Sequence, residues 1–155
     1  MARGIGLGLV AGAVGTIALD VATYVDMVAR ARPSSETPSK MAGVLADKAG
    51  VDLSGGDGKD AAQNRQQGIG ALLGYVTGVG VGVVYGALDR GERRWPAPLA
   101  GVALGLAAMA ASDLPIAQTG VSDPKEWSAS DWLSDLVPHL IYGFITAAVY
   151  AALRD

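Results

Sequence analysis

A single histidine and a handful of acids lie within or beside otherwise apolar stretches of this 155-residue chain. Asp20 interrupts the stretch Gly4 to Ala29, Asp113 the stretch Trp95 to Gln118, and Asp135 directly precedes the stretch Leu136 to Leu153 that contains His139. Asp135 and His139 are four residues apart, so on a helix they share a face and the carboxylate can accept a hydrogen bond from the imidazole. Pro115 and Pro138 would leave the carbonyls of Ala111 and Ser134 without helical partners. Freed carbonyls, carboxylates and one imidazole are the materials of a polar pocket, a proton relay or a cation site. The plainer alternative puts Asp113, Asp135 and His139 at headgroup depth, where they only solvate helix ends, and it suits Asp135 best. Asp20 resists that reading. It lies four turns in from Gly4, its side chain is too short to reach far, and burying it costs on the order of 3 kcal/mol unless it is paired, protonated or hydrated. Tyr24, one turn on, or His139 across the bundle could serve it. Asp26 reads as interfacial, balanced by Arg30.

Other chemistry is poorly provided for. The chain has no cysteine, hence no disulfide, thiolate nucleophile or Cys-ligated metal. One histidine with carboxylates is a weak transition-metal candidate, so no metal site is assigned. Ser54-Gly55-Gly56-Asp57-Gly58 lacks the alternating oxygen ligands of an EF-hand and the Gly-Lys-Ser/Thr of a phosphate loop. No nucleophile–base set is recognisable, so no catalytic residue is assigned and no cofactor can be named. A formal charge of −3 without an arginine–aromatic cluster gives no face for nucleic acid.

The elements that must hold these groups are helices in lipid. Half of the residues are apolar, 17% are charged, and 22 glycines sit within the apolar stretches as well as between them, a membrane-like pattern. Gln66 to Leu88 has no charge over 23 residues, which at about 1.5 Å each span about 35 Å against about 30 Å of hydrocarbon. A soluble bundle would show a polar stripe on every helix, and this segment has none. The expected fold is all-α: a single polytopic domain with transmembrane helices over about 4–29, 66–88, 95–118 and 134–153. Ala29-Arg30-Ala31 imitates a signal-peptide cleavage site, but the stretch before it is too long for a typical h-region, so it is read as a retained helix.

A polar loop over 31–65 joins the first two spans. Within it, Thr37 as N-cap, Pro38 at the first helical position and Gly50 as stop bracket a short amphipathic helix over about 38–49. Its apolar Met41, Val44 and Leu45 suit the bilayer surface or the bundle mouth.

Glycines recur every fourth residue along the second span, at Gly70, Gly74, Gly78, Gly82 and Gly86. Gly8 and Gly12 continue such a ridge on the first span, Gly101 and Gly105 on the third, and Gly143 on the fourth. Each glycine costs roughly 1 kcal/mol in a soluble helix interior, so the register implies close backbone approach, the glycine-zipper mode of packing in lipid. It serves either contacts within the chain or a homo-oligomer.

Arg3, Arg90, Arg93, Arg94 and Arg154 gather on the face that holds both termini, which favours that face as cytoplasmic. Arg30 and Arg32 argue the other way. Trp95 on one face, with Trp127 and Trp132 on the other, fits interfacial aromatic belts.

Leu99-Ala100-Gly101, Asp113-Leu114-Pro115 with Gly120, and Ser134-Asp135 with Pro138-His139-Leu140 together resemble the YagU-type bacterial inner-membrane proteins. Gly8 to Gly12 and Pro33 add a weaker match. This chain has Asp135 where that pattern has Glu, and its long first loop departs from it. The resemblance implies a four-helix inner-membrane protein without an assigned activity.

Three functions compete. One is proton, ion or small-molecule transport or sensing through Asp20, Tyr24, Asp113, Asp135 and His139. Another is a structural or accessory subunit that self-associates or docks in a larger membrane complex through its glycines. A lipid-modifying enzyme is the least supported.

Overall fold

The computed structural model describes residues 2–56, 58–89 and 95–155. Asp57 of the glycine-rich loop and Arg90, Arg93 and Arg94 of the basic turn lie outside them. Five α-helices follow in order: α1 (Ala2–Arg30), α2 (Thr37–Lys48), α3 (Lys59–Leu88), α4 (Ala97–Gln118) and α5 (Ala129–Arg154). No strand occurs among the described residues. All but α2 are long and apolar enough to cross a membrane, giving four candidate spans. The chain is a multi-pass membrane protein on that ground.

Two helices start earlier than the apolar stretches suggest. α5 begins at Ala129 because Ser128 and Asp131 form a reciprocal capping box, with the Asp131 amide donating to Ser128 Oγ at 3.2 Å and the Ser128 amide to Asp131 Oδ2 at 2.9 Å. α3 begins at Lys59, and its polar first turns are held by α2 rather than by lipid. A Cβ on Gly43 would lie 2.9 Å from Gln66 Nε2, and one on Gly70 only 2.6 Å from the Pro38 carbonyl carbon. As α2 advances from Pro38 to Gly43 its partner on α3 recedes from Gly70 to Gln66, so the two helices run antiparallel. Ala42 and Gly43 are the buried residues of α2, and Met41 Sδ lies 3.5 Å from Thr119 Oγ1 just past the end of α4, so α2 rests against the start of α3 and the end of α4. Glu36 rather than Thr37 occupies the N-cap, without a side-chain cap, and Gly50 ends the turn with φ 68°.

The loop before α3 is tied down by polar bonds. Arg65 Nη1 donates to the carbonyls of Leu53 at 2.8 Å and Ser54 at 2.7 Å. The Ser54 hydroxyl and amide, bonded to Asp52, hold that carboxyl below the usual carboxylate range.

In the bundle, α1 packs against α3 and α5, α5 also packs against α4, and α3 meets α4 only sparsely. Glycine permits the first of these contacts. A Cβ on Gly82 would sit 2.7 Å from Gly12 Cα, and one on Gly12 would sit 2.9 Å from the Gly78 carbonyl oxygen. Gly8 and Gly86 meet in the same way, with 3.2 Å between a Gly8 Cβ and Gly86 Cα. Between α4 and α5, a Cβ on Gly143 would lie 2.8 Å from Gly105 Cα, while Gly101 faces the Phe144 ring. Gly74 breaks the expected run: it is exposed and its Cβ would meet nothing. The ridge on α3 is therefore divided, with Gly70 against α2, Gly74 open, and Gly78, Gly82 and Gly86 against α1.

Tyr142 crosses the centre of the bundle. Fully buried, it donates from its hydroxyl to the Gly78 carbonyl at 2.6 Å, joining α5 to α3 beside Thr16 of α1.

Candidate functional site

The polar residues foreseen in the spans fall into two separate groups. The first joins α4 to α5. Ser112 and Asp113 stand near the end of α4, and Asp135 and His139 lie on one face in the first half of α5. His139 Nδ1 is 2.8 Å from the Asp135 carbonyl oxygen and 3.3 Å from its carboxylate Oδ1. The other ring nitrogen, Nε2, faces Ser112 Oγ at 3.5 Å. Ser112 Oγ is also 3.4 Å from Asp113 Oδ1 and 2.9 Å from the Met109 carbonyl. The His139 and Asp135 side chains are 14% and 24% exposed, largely covered by the bundle.

The Asp113 carboxyl lies close enough to the Asp135 side chain to interact with it electrostatically, and Asp135 Oδ2 is buried with no hydrogen-bond partner. Two ionised carboxylates only accept hydrogen bonds. A hydrogen bond between them would require a proton, and a buried acceptor left without a donor costs about 1–3 kcal/mol. Among the described residues no three His or acidic groups converge closely enough to hold a metal ion.

Asp20 belongs elsewhere. It lies beside Tyr75 on α3, and Asp20 and Tyr24 are both close enough to Tyr75 to interact with it electrostatically. Tyr24 is 60% exposed and Tyr75 42%, so this second group looks outward from the α1–α3 face. Among the described residues, Asp135 and Asp113 are the acids beside His139. Asp26 sits at the α1 end of the bundle, where Arg30 Nε donates to it at 2.6 Å and Arg32 Nε at 2.5 Å. Arg30 also reaches Ser130 Oγ at 2.7 Å and Ser134 Oγ, fastening α1 to the start of α5.

Five contributors escaped the sequence reading. Ser112 carries no charge and adjoins Asp113, so nothing distinguishes it before its contact with His139 is seen. Tyr75 lies on α3, away from Asp20 in sequence. Tyr142, Thr146 and Tyr150 are spaced four apart on α5 and all buried, a periodicity that was legible. At the opposite end of the bundle, Asp89 Oδ2 accepts from the Tyr150 hydroxyl at 2.9 Å and from Arg154 Nη1 at 2.7 Å. Comparison with family models, with curated proteins and with solved structures found no match.

Proposed function

We propose that this protein moves protons, or a solute coupled to them, through a four-helix membrane bundle by way of Asp113, Asp135 and His139. One observation carries the proposal: acids from two helices meet beside a single imidazole, and one of their oxygens is buried with no donor unless a proton is shared. The imidazole has one nitrogen toward Asp135 and the other toward Ser112, so it can accept a proton on one side and release it on the other by changing tautomer. Ionisable groups held within a span are costly and mark ion or proton paths. The resemblance of Asp135 and His139, with Asp113-Leu114-Pro115, to the YagU-type pattern points to the same residues and to a bacterial inner membrane. The arginines near the Asp89 end favour a cytoplasmic placement for that end and both termini.

Reconstitution tests this reading. Vesicles containing the protein, loaded with a pH-sensitive dye and given a pH gradient, should dissipate it faster than empty vesicles. Asp113→Asn and His139→Gln should each bring the rate back to that of empty vesicles. Wild-type vesicles no leakier than empty ones, across pH and ion gradients, would end the transport proposal.

A further inference from the structure

Between Asp135 and His139 the backbone of α5 is weakened. Pro138 lies inside the helix and has no amide hydrogen to give the Ser134 carbonyl, so one backbone bond is missing there. Helices bend most readily at such a point. Asp135 precedes the proline, while His139 follows it and faces Ser112 of α4 at 3.5 Å. Residues 129–137 therefore join the rest of α5 through a weakened turn, and they carry one of the two acids.

That segment is held from α1. The Arg30 guanidinium donates to Asp26 from Nε at 2.6 Å and from Nη2 at 2.5 Å, and it donates also to Ser130 Oγ at 2.7 Å and to Ser134 Oγ. The two serines are four residues apart, on one face of α5, so one rigid fork spans both. Arg32 shares Asp26 at 2.5 Å, but its other bond goes to the Pro33 carbonyl and not to α5. Arg30 and Asp26 are partly exposed, so water competes for these bonds and they can exchange. An opposing cost lies close by. Asp135 Oδ2 is buried without a partner, and access to water would relieve it.

We infer that residues 129–137 form a flap hinged at Pro138 and latched by Arg30, whose release draws Asp135 away from His139 and hydrates its carboxylate. The latched form keeps Asp135 against His139. The released form turns it toward water at the Arg30 end of the bundle. Arg30 bonds Ser130 and Ser134 rather than Asp135, so it is a positioning residue. That the opening admits or releases a proton rests on the transport proposal, whereas the hinge and the latch do not.

The chain has no cysteine, so pairs of spin labels can be placed without background. Val28→Cys with Ala129→Cys, both at exposed positions, reports the latched end. Ile5→Cys with Leu153→Cys, also exposed, reports the opposite end. Ala129 stands nine residues from Pro138, about 14 Å along the helix, so a bend of about 20° at the proline moves it by about 5 Å. In lipid vesicles, pulsed electron-resonance distances for the first pair should form one narrow distribution. Arg30→Gln should raise a longer-distance population several-fold, and Ser130→Ala with Ser134→Ala, which keeps every charge, should do the same. Arg32→Gln should not. Adding Pro138→Ala to Arg30→Gln returns an amide hydrogen to the Ser134 carbonyl and should restore the narrow distribution. An unchanged distribution in Arg30→Gln overturns the latch, and so does an Arg32→Gln variant that opens equally. A long population that survives Pro138→Ala overturns the hinge. Equal broadening of the Ile5 and Leu153 pair overturns both, because the bundle would then have loosened as a whole. Failure of the flux assay leaves these distances standing, so the flap and the transport proposal fail separately.

Discussion

The Tyr142 hydroxyl reaches across the bundle to the Gly78 carbonyl at 2.6 Å, a side chain of α5 bonded to the backbone of α3. That bond exists because the residues between the two helices are small. Thr16, Gly15 and Gly78 surround the tyrosine ring, and any larger side chain at Gly15 or Gly78 would meet Thr146, Thr16 or the ring itself.

Replacing Tyr142 with Phe keeps the ring and deletes the bond. The expected loss is about 1 kcal/mol, since a neutral hydrogen bond contributes roughly that much and the Gly78 carbonyl can keep its helical partner. Reversible unfolding in mixed micelles would measure it.

Gly82→Ala and Gly74→Ala should differ sharply although both lie on the same ridge. The first drives a methyl into the Gly12 backbone, at 2.7 Å from its Cα, while the second points a methyl into open space. Overpacking of this kind costs about 1–3 kcal/mol, so Gly82→Ala should lower the melting temperature in detergent. Gly74→Ala should leave it unchanged or raise it slightly, because alanine is the better helix former.

The loop before α3 should loosen in acid. Its Asp52 carboxyl is held below the usual range by Ser54. The contribution of these bonds is therefore fully present above the ordinary carboxylate pKa and is lost as pH falls through the lowered folded value. Hydrogen exchange, corrected for the intrinsic acid dependence, should show the Ser54 amide losing protection over that window. Arg65→Ala, which removes the bonds to the Leu53 and Ser54 carbonyls, should deprotect it at neutral pH.

Much of this architecture was readable before any coordinates. Uncharged length alone marks the spans, because lipid forbids unsatisfied backbone and charged faces. The early starts of α3 and α5 were not readable from hydropathy, since Lys59–Arg65 is held by α2 and Ala129 by the capping box of Ser128. The glycine register indicates close approach but not the partner. Nothing in the spacing says that Gly70 meets Pro38 while Gly82 meets Gly12. The acids within or beside the spans were equally visible, yet one-dimensional order could not separate Asp20 from His139. That division depends on the rotation of α1, which turns Asp20 toward Tyr75 and leaves His139 to α4.

The proton shared between Asp113 and Asp135 is the claim on which the functional account rests. Infrared difference spectroscopy of the protein in lipid, comparing wild type with single variants at neutral pH, observes it directly. A protonated-carboxyl stretch should be present in the wild type and absent or shifted in both Asp113→Asn and Asp135→Asn. Asp20→Asn should leave it in place. A spectrum with no protonated carboxyl, or a band removed only by Asp20→Asn, would contradict the account.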